Sequence, residues 1–245
     1  MHEGNLCTNA YPCRSNNLCY HSFMPNRMLK MPSPFPSFVA FASQAAETCD
    51  YRLPPEEQAL LAPRATPKRV REFTLGRAAA HLALQRLLAV EPGPFLQGER
   101  GEPLWPTGVV GAISHSHDLA VAAVARQTDC AGLGLDLQGP TTVDLRRIAH
   151  KICLPAELEW SEAYPGSTAD TLKLIFSAKE SVFKALSGER WSFHDLLLQP
   201  GTESHTLTGR LQRALPPHFP TDTEMTIGWR TEGTYLLTYL VLPLR

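Results

Sequence analysis

The chain has 245 residues, of which 43% are hydrophobic and 19% charged, enough to bury a core without disulfide or metal staples. Its formal net charge of −1 gives no global pull toward nucleic acid or anionic membrane, and no apolar run approaches the ~18 residues of a transmembrane helix. The six cysteines do not suggest a framework: Cys7, Cys13 and Cys19 follow C-x5-C-x5-C, which is not a usual zinc spacing, and Cys49, Cys130 and Cys153 are scattered. Reduced thiols in a cytoplasmic protein are the expectation.

In chain order, residues 1–36 are rich in Asn, Pro, Ser and Met and hold no period, so an unstructured extension is expected. Met24, Met28 and Met31 leave a later translation start open, and no charged segment with an apolar core marks a signal peptide. The apolar run between Ser37 and Ala45 suits a short strand. Pro54-Pro55-Glu56-Glu57 opens a short helix through Leu61, with acids in its first turn.

A clear helix is predicted from Pro67 to about Val90. Its seam of Val70, Phe73, Arg77, Ala80, Leu84 and Leu87 has an arginine inside the apolar set. A buried guanidinium must find an anion or carbonyls. With Lys68, Arg69 and Arg71 close by it fits a phosphate site, or it pairs with an acid such as Glu72 or reaches out to solvent. GERGEPLWP (98–106) is a turn-rich loop, and strands are predicted at Val109–Ser114, Leu119–Ala125 and Leu133–Gln138.

Ser114-His115-Ser116-His117-Asp118 follows a strand end. Neither a zinc site nor a Ser-His-Asp triad is favoured, because no third ligand and no nucleophile elbow accompany it. In Leu133–Gln138, leucines alternate with Gly134, Asp136 and Gln138, so one face is buried and Asp136 and Gln138 point the same way, ~6.5–7 Å apart.

The next helix, Leu172–Leu186, ends before Ser187-Gly188, where glycine can cap it. Leu172, Ile175, Phe176, Val182, Phe183 and Leu186 form an apolar stripe; Lys173, Ser177, Glu180 and Lys184 share a polar face, with Lys179 at the border. Glu180 and Lys184 are either an exposed ion pair worth ~0.3–0.5 kcal/mol or, with Asp136, an oxygen site for a hard cation bridging phosphates. Strands at 205–211, 225–230 and 234–242 close the chain, with Thr231-Glu232-Gly233 as the turn.

The pairing of GLDLQ with FSAKESVFK resembles the two signatures of the Sfp-type 4′-phosphopantetheinyl transferases, and REFTLGRAAAHLAL (71–84), GERGEPLWP and GVVGAISHSHD (108–118) are similar to their enterobactin-synthase branch. The resemblance implies an α+β fold with a pseudo-twofold, each half a helix on a three-stranded antiparallel sheet. It divides the chain into the extension 1–36, an N-terminal half 37–135 and a C-terminal half 136–245 of a monomeric pseudo-dimer. The implied activity is Mg²⁺-dependent transfer of the 4′-phosphopantetheine arm of coenzyme A to a serine of an apo acyl or peptidyl carrier protein of a siderophore, peptide or polyketide pathway. A non-catalytic coenzyme A binder on the same scaffold is the alternative.

Residue by residue, the resemblance implies that Asp136 and Glu180 hold the metal, with Gln138 at the third ligand position where the family usually has an acid. Glu180 is implied as the general base. Lys184, helped by Lys179, would neutralise the pyrophosphate. Arg71, Arg77 and His115 would meet the 3′-phosphate, with Ser114 beside them on the coenzyme A phosphates. Gly101, Glu102 and Pro103 would cup the adenine. Ile152, Leu154 and Trp160 are candidates for the carrier-docking patch or for the core.

Overall fold

The computed structural model describes residues 31–140, 144–163, 167–186, 191–215 and 219–244. The elements are β1 (Ala40–Ala45), α1 (Pro55–Gln58), α2 (Pro67–Leu88), β2 (Val109–Ser116), β3 (Leu119–Arg126), β4 (Gly132–Gln138), α3 (Ala149–Ile152), α4 (Pro155–Ala163), α5 (Thr168–Ala185), β5 (Leu196–Pro200), β6 (Thr206–Leu211), β7 (Glu224–Glu232) and β8 (Tyr235–Leu242). The two long helices start where side chains can cap them. Thr66 accepts a bond from the Arg69 N–H, and Ser167 from that of Ala169. α2 stops at Ala89, which takes the left-handed conformation at φ 56°.

Two antiparallel sheets follow, one of order β1-β3-β2 and one of order β4-β8-β7-β6-β5. They stack between the helices in four layers. α2 lays Leu75, Ala79, Ala80, Ala83 and Leu84 on Ala42, Ala120, Ala122 and Val124 of the first sheet. The other face of that sheet, with Phe41, Val121 and Ala123, meets Leu133, Leu135, Leu137 and Leu237 of the second. The far face of the second sheet carries α5 through Leu172, Ile175, Ala178 and Val182. The small residues of β3 are thus buried on both faces, and alanines let sheet and helix approach closely.

The α+β class stands, but the strand partition differs from the expected one. The strand at Leu133–Gln138 does not complete the N-terminal sheet; β4 pairs with β8, Asp136 opposite Thr238, and β1 fills the N-terminal place. The expected division at 135/136 therefore falls inside β4. The second sheet has five strands rather than three, gaining β4 and β5. β4 is also buried on both faces, not one, since α5 covers the side that holds Gly134 and Asp136. The β7–β8 turn is Gly233-Thr234, one residue later than expected, with Glu232 still paired to Tyr235 and Gly233 at φ 58°.

Residues 31–36 pack on the body instead of belonging to the extension. Met31 is buried with its N–H on Ser43 Oγ at 3.1 Å, and the Phe35 ring lies 5.3 Å from that of Tyr239. Residues 1–30, with Cys7, Cys13 and Cys19, and the expected cap Ser187-Gly188 lie outside the described residues. Cys49, Cys130 and Cys153 are free thiols.

Candidate active site

A cleft of about 320 Å³ opens where the two halves meet. α2 contributes Arg69, Phe73 and Arg77; the loop after it contributes Arg100, Gly101, Glu102, Pro103 and Trp105; β2 contributes His115; α5 contributes Glu180, Phe183 and Lys184. Phe183, expected in the core stripe, faces this cleft and is 43% exposed. The polar face of α5 looks onto β4 and the cleft, because the helix buries most of its circumference.

Asp136 stands behind Lys184, 4% exposed and not itself among the residues that line the cleft, and both of its carboxylate oxygens are occupied. Oδ1 accepts from Ser114 Oγ at 2.9 Å and Lys184 Nζ at 2.8 Å; Oδ2 accepts from Gln138 Nε2 at 2.7 Å and Ser177 Oγ at 2.9 Å. Burial pushes this carboxyl up, but the Lys184 ammonium and these hydrogen bonds outweigh it and hold it below the ordinary range. Lys184 therefore pairs across to the strand, not along its own helix with Glu180. Glu180 sits one turn before Lys184 with its carboxyl raised, first by burial and further by the charge of Asp136, against the pull of Lys184. The two acids of the sequence reading are thus near enough for the charge of one to act on the other.

Arg77 is 2% exposed and found both partners that its seam position demanded, although not Glu72. Its Nη1 donates to the Phe95 carbonyl at 2.6 Å and lies 3.9 Å from Glu57 Oε1. The guanidinium stacks 4.1 Å from the Phe95 ring centre and 4.9 Å from that of Phe73. Glu57, on α1, is wholly buried and also accepts from His81 Nε2 at 2.7 Å and the Phe95 N–H at 3.2 Å. Those bonds outweigh its burial and lower its carboxyl. Glu57 thus fixes Arg77 and the segment leading into the Gly101–Pro103 loop. Only its place among first-turn acids was visible in the sequence.

Three of the residues expected on coenzyme A stand elsewhere. Lys179 is fully buried, bonded to Glu157 at 2.7 Å and to the carbonyls of Ile152 and Phe193 at 2.9 and 2.7 Å, so it cannot reach the cleft. Arg71 points outward, its side chain 55% exposed, toward Asp118; Arg69, half a turn away, lines the cleft instead. Ser114 is committed to Asp136 and to the Leu137 N–H at 3.0 Å. His115 does face the cleft, and burial holds its imidazole below the ordinary value, so it is neutral near pH 7. Ile152 is core, with Trp160 packed against it.

Among the described residues no group of three or more His, Cys, Asp and Glu side chains gathers as a metal cage. Mg²⁺ asks for less than such a cage, since it takes one or two carboxylates, keeps several waters and completes its shell with substrate phosphates; Glu180 in the cleft and Asp136 behind Lys184 are the carboxylates available to it. Gln138 turns its amide nitrogen, not its oxygen, toward Asp136, so here it braces that carboxylate.

Two acids, a lysine and buried arginine beside a glycine loop define an enzyme cleft made to handle phosphates. Residues 56–125 match the 4′-phosphopantetheinyl transferase N-terminal domain, and residues 132–225 match the 4′-phosphopantetheinyl transferase superfamily. The chain is 43% identical over 164 residues to 4′-phosphopantetheinyl transferase Svp of Streptomyces mobaraensis, covering 64% of this chain and 65% of that protein. It is 34% identical over 196 residues to PptT of Mycobacterium tuberculosis, with 77% of this chain and 85% of that one covered. Enterobactin synthase component D of Salmonella typhimurium is 31% identical over 181 residues, covering 68% and 66%. The chain belongs to the 4′-phosphopantetheinyl transferase family. That membership favours a transferase enzyme over a non-catalytic binder on the same scaffold.

Proposed function

We propose that the protein transfers the 4′-phosphopantetheine arm of coenzyme A to a serine of an apo carrier protein, leaving 3′,5′-adenosine bisphosphate. The cleft lined by Glu180, Lys184, Arg77 and Gly101–Pro103, with Asp136 bonded behind Lys184, carries this reading. The adenine end lies at the glycine loop, with Arg69, Arg77 and His115 around the 3′-phosphate. The diphosphate lies at Glu180 and Lys184. The serine hydroxyl oxygen bonds to the β-phosphorus, the bond from that phosphorus to the bridging oxygen breaks, and the serine proton passes to Glu180. A raised carboxyl suits that last role, since a base works best with a pKa nearer the working pH.

Bound Mg²⁺, held by Asp136 and Glu180, would neutralise charge on the diphosphate oxygens. Lys184 meets the charge gathering on the leaving phosphate, and the protein otherwise contributes alignment. Gln138 and Ser114 keep Asp136 oriented. The setting we infer is a cytoplasmic monomer serving a siderophore, peptide or polyketide assembly line, by likeness to relatives such as enterobactin synthase component D.

Incubation of the protein with coenzyme A, Mg²⁺ and an apo carrier protein, followed by mass spectrometry, should show a gain of one phosphopantetheine arm. Coenzyme A binding with no gain across several carriers would support the binder instead. Asp136→Ala and Glu180→Ala should abolish the gain while the variants stay folded; wild-type turnover in either one would overturn the metal assignment.

A further inference from the structure

The four donors that surround Asp136 are not equally held. Ser114 also accepts the Leu137 N–H, and Ser177 is joined to Thr238 Oγ1 at 2.9 Å, both deep in the protein. Losing Asp136 would leave those buried hydroxyls short of a partner. Lys184 is different: its side chain is 24% exposed, it borders the cleft, and Asp136 is its one hydrogen-bonded partner among the described residues. Oδ1 of Asp136 thus has one fixed donor and one releasable one. The releasable one is a cation.

A hard divalent ion needs the same lone pairs that Lys184 occupies, and two cations on one carboxylate oxygen repel. Lys184 leaves Asp136 at little loss only if another anion receives its ammonium. Resting on the coenzyme A reading of the cleft, we propose that Lys184 is a resident counter-ion which couples the cation to the diphosphate. The divalent ion displaces the ammonium from Asp136, and the diphosphate takes it up. Cation and diphosphate arriving together leave the formal charge of the cleft unchanged; either alone unbalances it. The ligand-free protein then binds the cation weakly, and each ligand raises the affinity for the other by the same factor. The four-residue step from Glu180 to Lys184 on α5 keeps the released ammonium beside the same ligand.

The test is a Mn²⁺ titration followed by electron paramagnetic resonance, on the full chain, with and without coenzyme A. Lys184→Met should bind Mn²⁺ alone about tenfold or more tightly than wild type, because the competing charge is gone. Coenzyme A should tighten Mn²⁺ on wild type by a larger factor than on the variant, where only direct phosphate coordination couples the two. Lys184→Arg, which keeps a cation, should stay as weak as wild type in the absence of coenzyme A. Lys184→Gln replaces the Met variant should that one fail to fold. Equal Mn²⁺ affinity in folded wild type and Lys184→Met, or a coenzyme A effect as large in the variant as in wild type, would overturn the proposal. A wild-type protein that takes Mn²⁺ but never coenzyme A would instead overturn the reading of the cleft, which the same titrations reveal separately.

Discussion

Lys179 and Lys184 stand five residues apart on α5, each bonded to a carboxylate, at 2.7 and 2.8 Å, yet they do opposite work. Lys179 spends its donors on Glu157 and two carbonyls. Glu157 in turn accepts the N–H groups of Leu154 and Leu198, both at 2.7 Å, so the pair ties α4 and β5 to α5. No solvent reaches it. Lys184 has one bond and an open side. An ion pair with every valence used is a rivet, whereas one with a free edge beside a cleft can exchange partners, and the difference lies in surroundings rather than in residue type.

The comparison breaks most visibly at Lys179. Lys179→Met strands a buried carboxylate and should cost about 3–5 kcal/mol of stability by urea unfolding, while Lys179→Met with Glu157→Leu should recover most of it. Lys184→Met should cost only about 1–2 kcal/mol of stability, since three hydrogen bonds to Asp136 remain, but should lower the rate of arm transfer about 10²–10³-fold. pH sharpens this contrast. The Asp136 carboxyl is depressed, so its stabilisation is complete above the ordinary value of 3.8 and lost as pH falls through the lower folded value. Without Lys184 that loss should begin at higher pH in acid-unfolding curves.

A smaller effect is expected at Gln138. Gln138→Glu adds a charge where an amide now donates to Asp136, and transfer at limiting Mg²⁺ should hold or rise; a large loss would show that the donated bond is essential. The smallest readout is thiol chemistry. Burial, reinforced by Glu157, pushes the Cys153 thiol up to about 11, so in native protein half-buried Cys49 should alkylate well before Cys153.

Local pattern was enough for the elements that carry their own period. The helices around Arg77 and Glu180 and the leucine alternation of β4 are legible because spacing sets which side chains share a face. Pairing over distance was not legible: β4 joins β8 about a hundred residues later, and nothing in GLGLDLQ announces its partner. Lys179 was misplaced for the same reason. Its 100° step from Glu180 was read correctly, but Glu157, which claims it, comes from another helix. Ser114 was expected on the coenzyme A phosphates from the family resemblance at a strand end, whereas here the strand continues to Ser116 and β4 takes that hydroxyl. That a buried Arg77 would find an acid or a carbonyl was legible, because the cost of burying a guanidinium is independent of which acid answers it.

A methyl at Gly134 would overlap the Ser181 carbonyl oxygen, and one at Gly132 would press on that of Ala185. α5 therefore rests backbone against backbone on the strand that bears Asp136, with no side chain between them to flex. The spacing of Asp136 and Glu180 is set by hard atomic radii, which makes the gap a fixed gauge: an alanine at either glycine would widen it for every ligand at once.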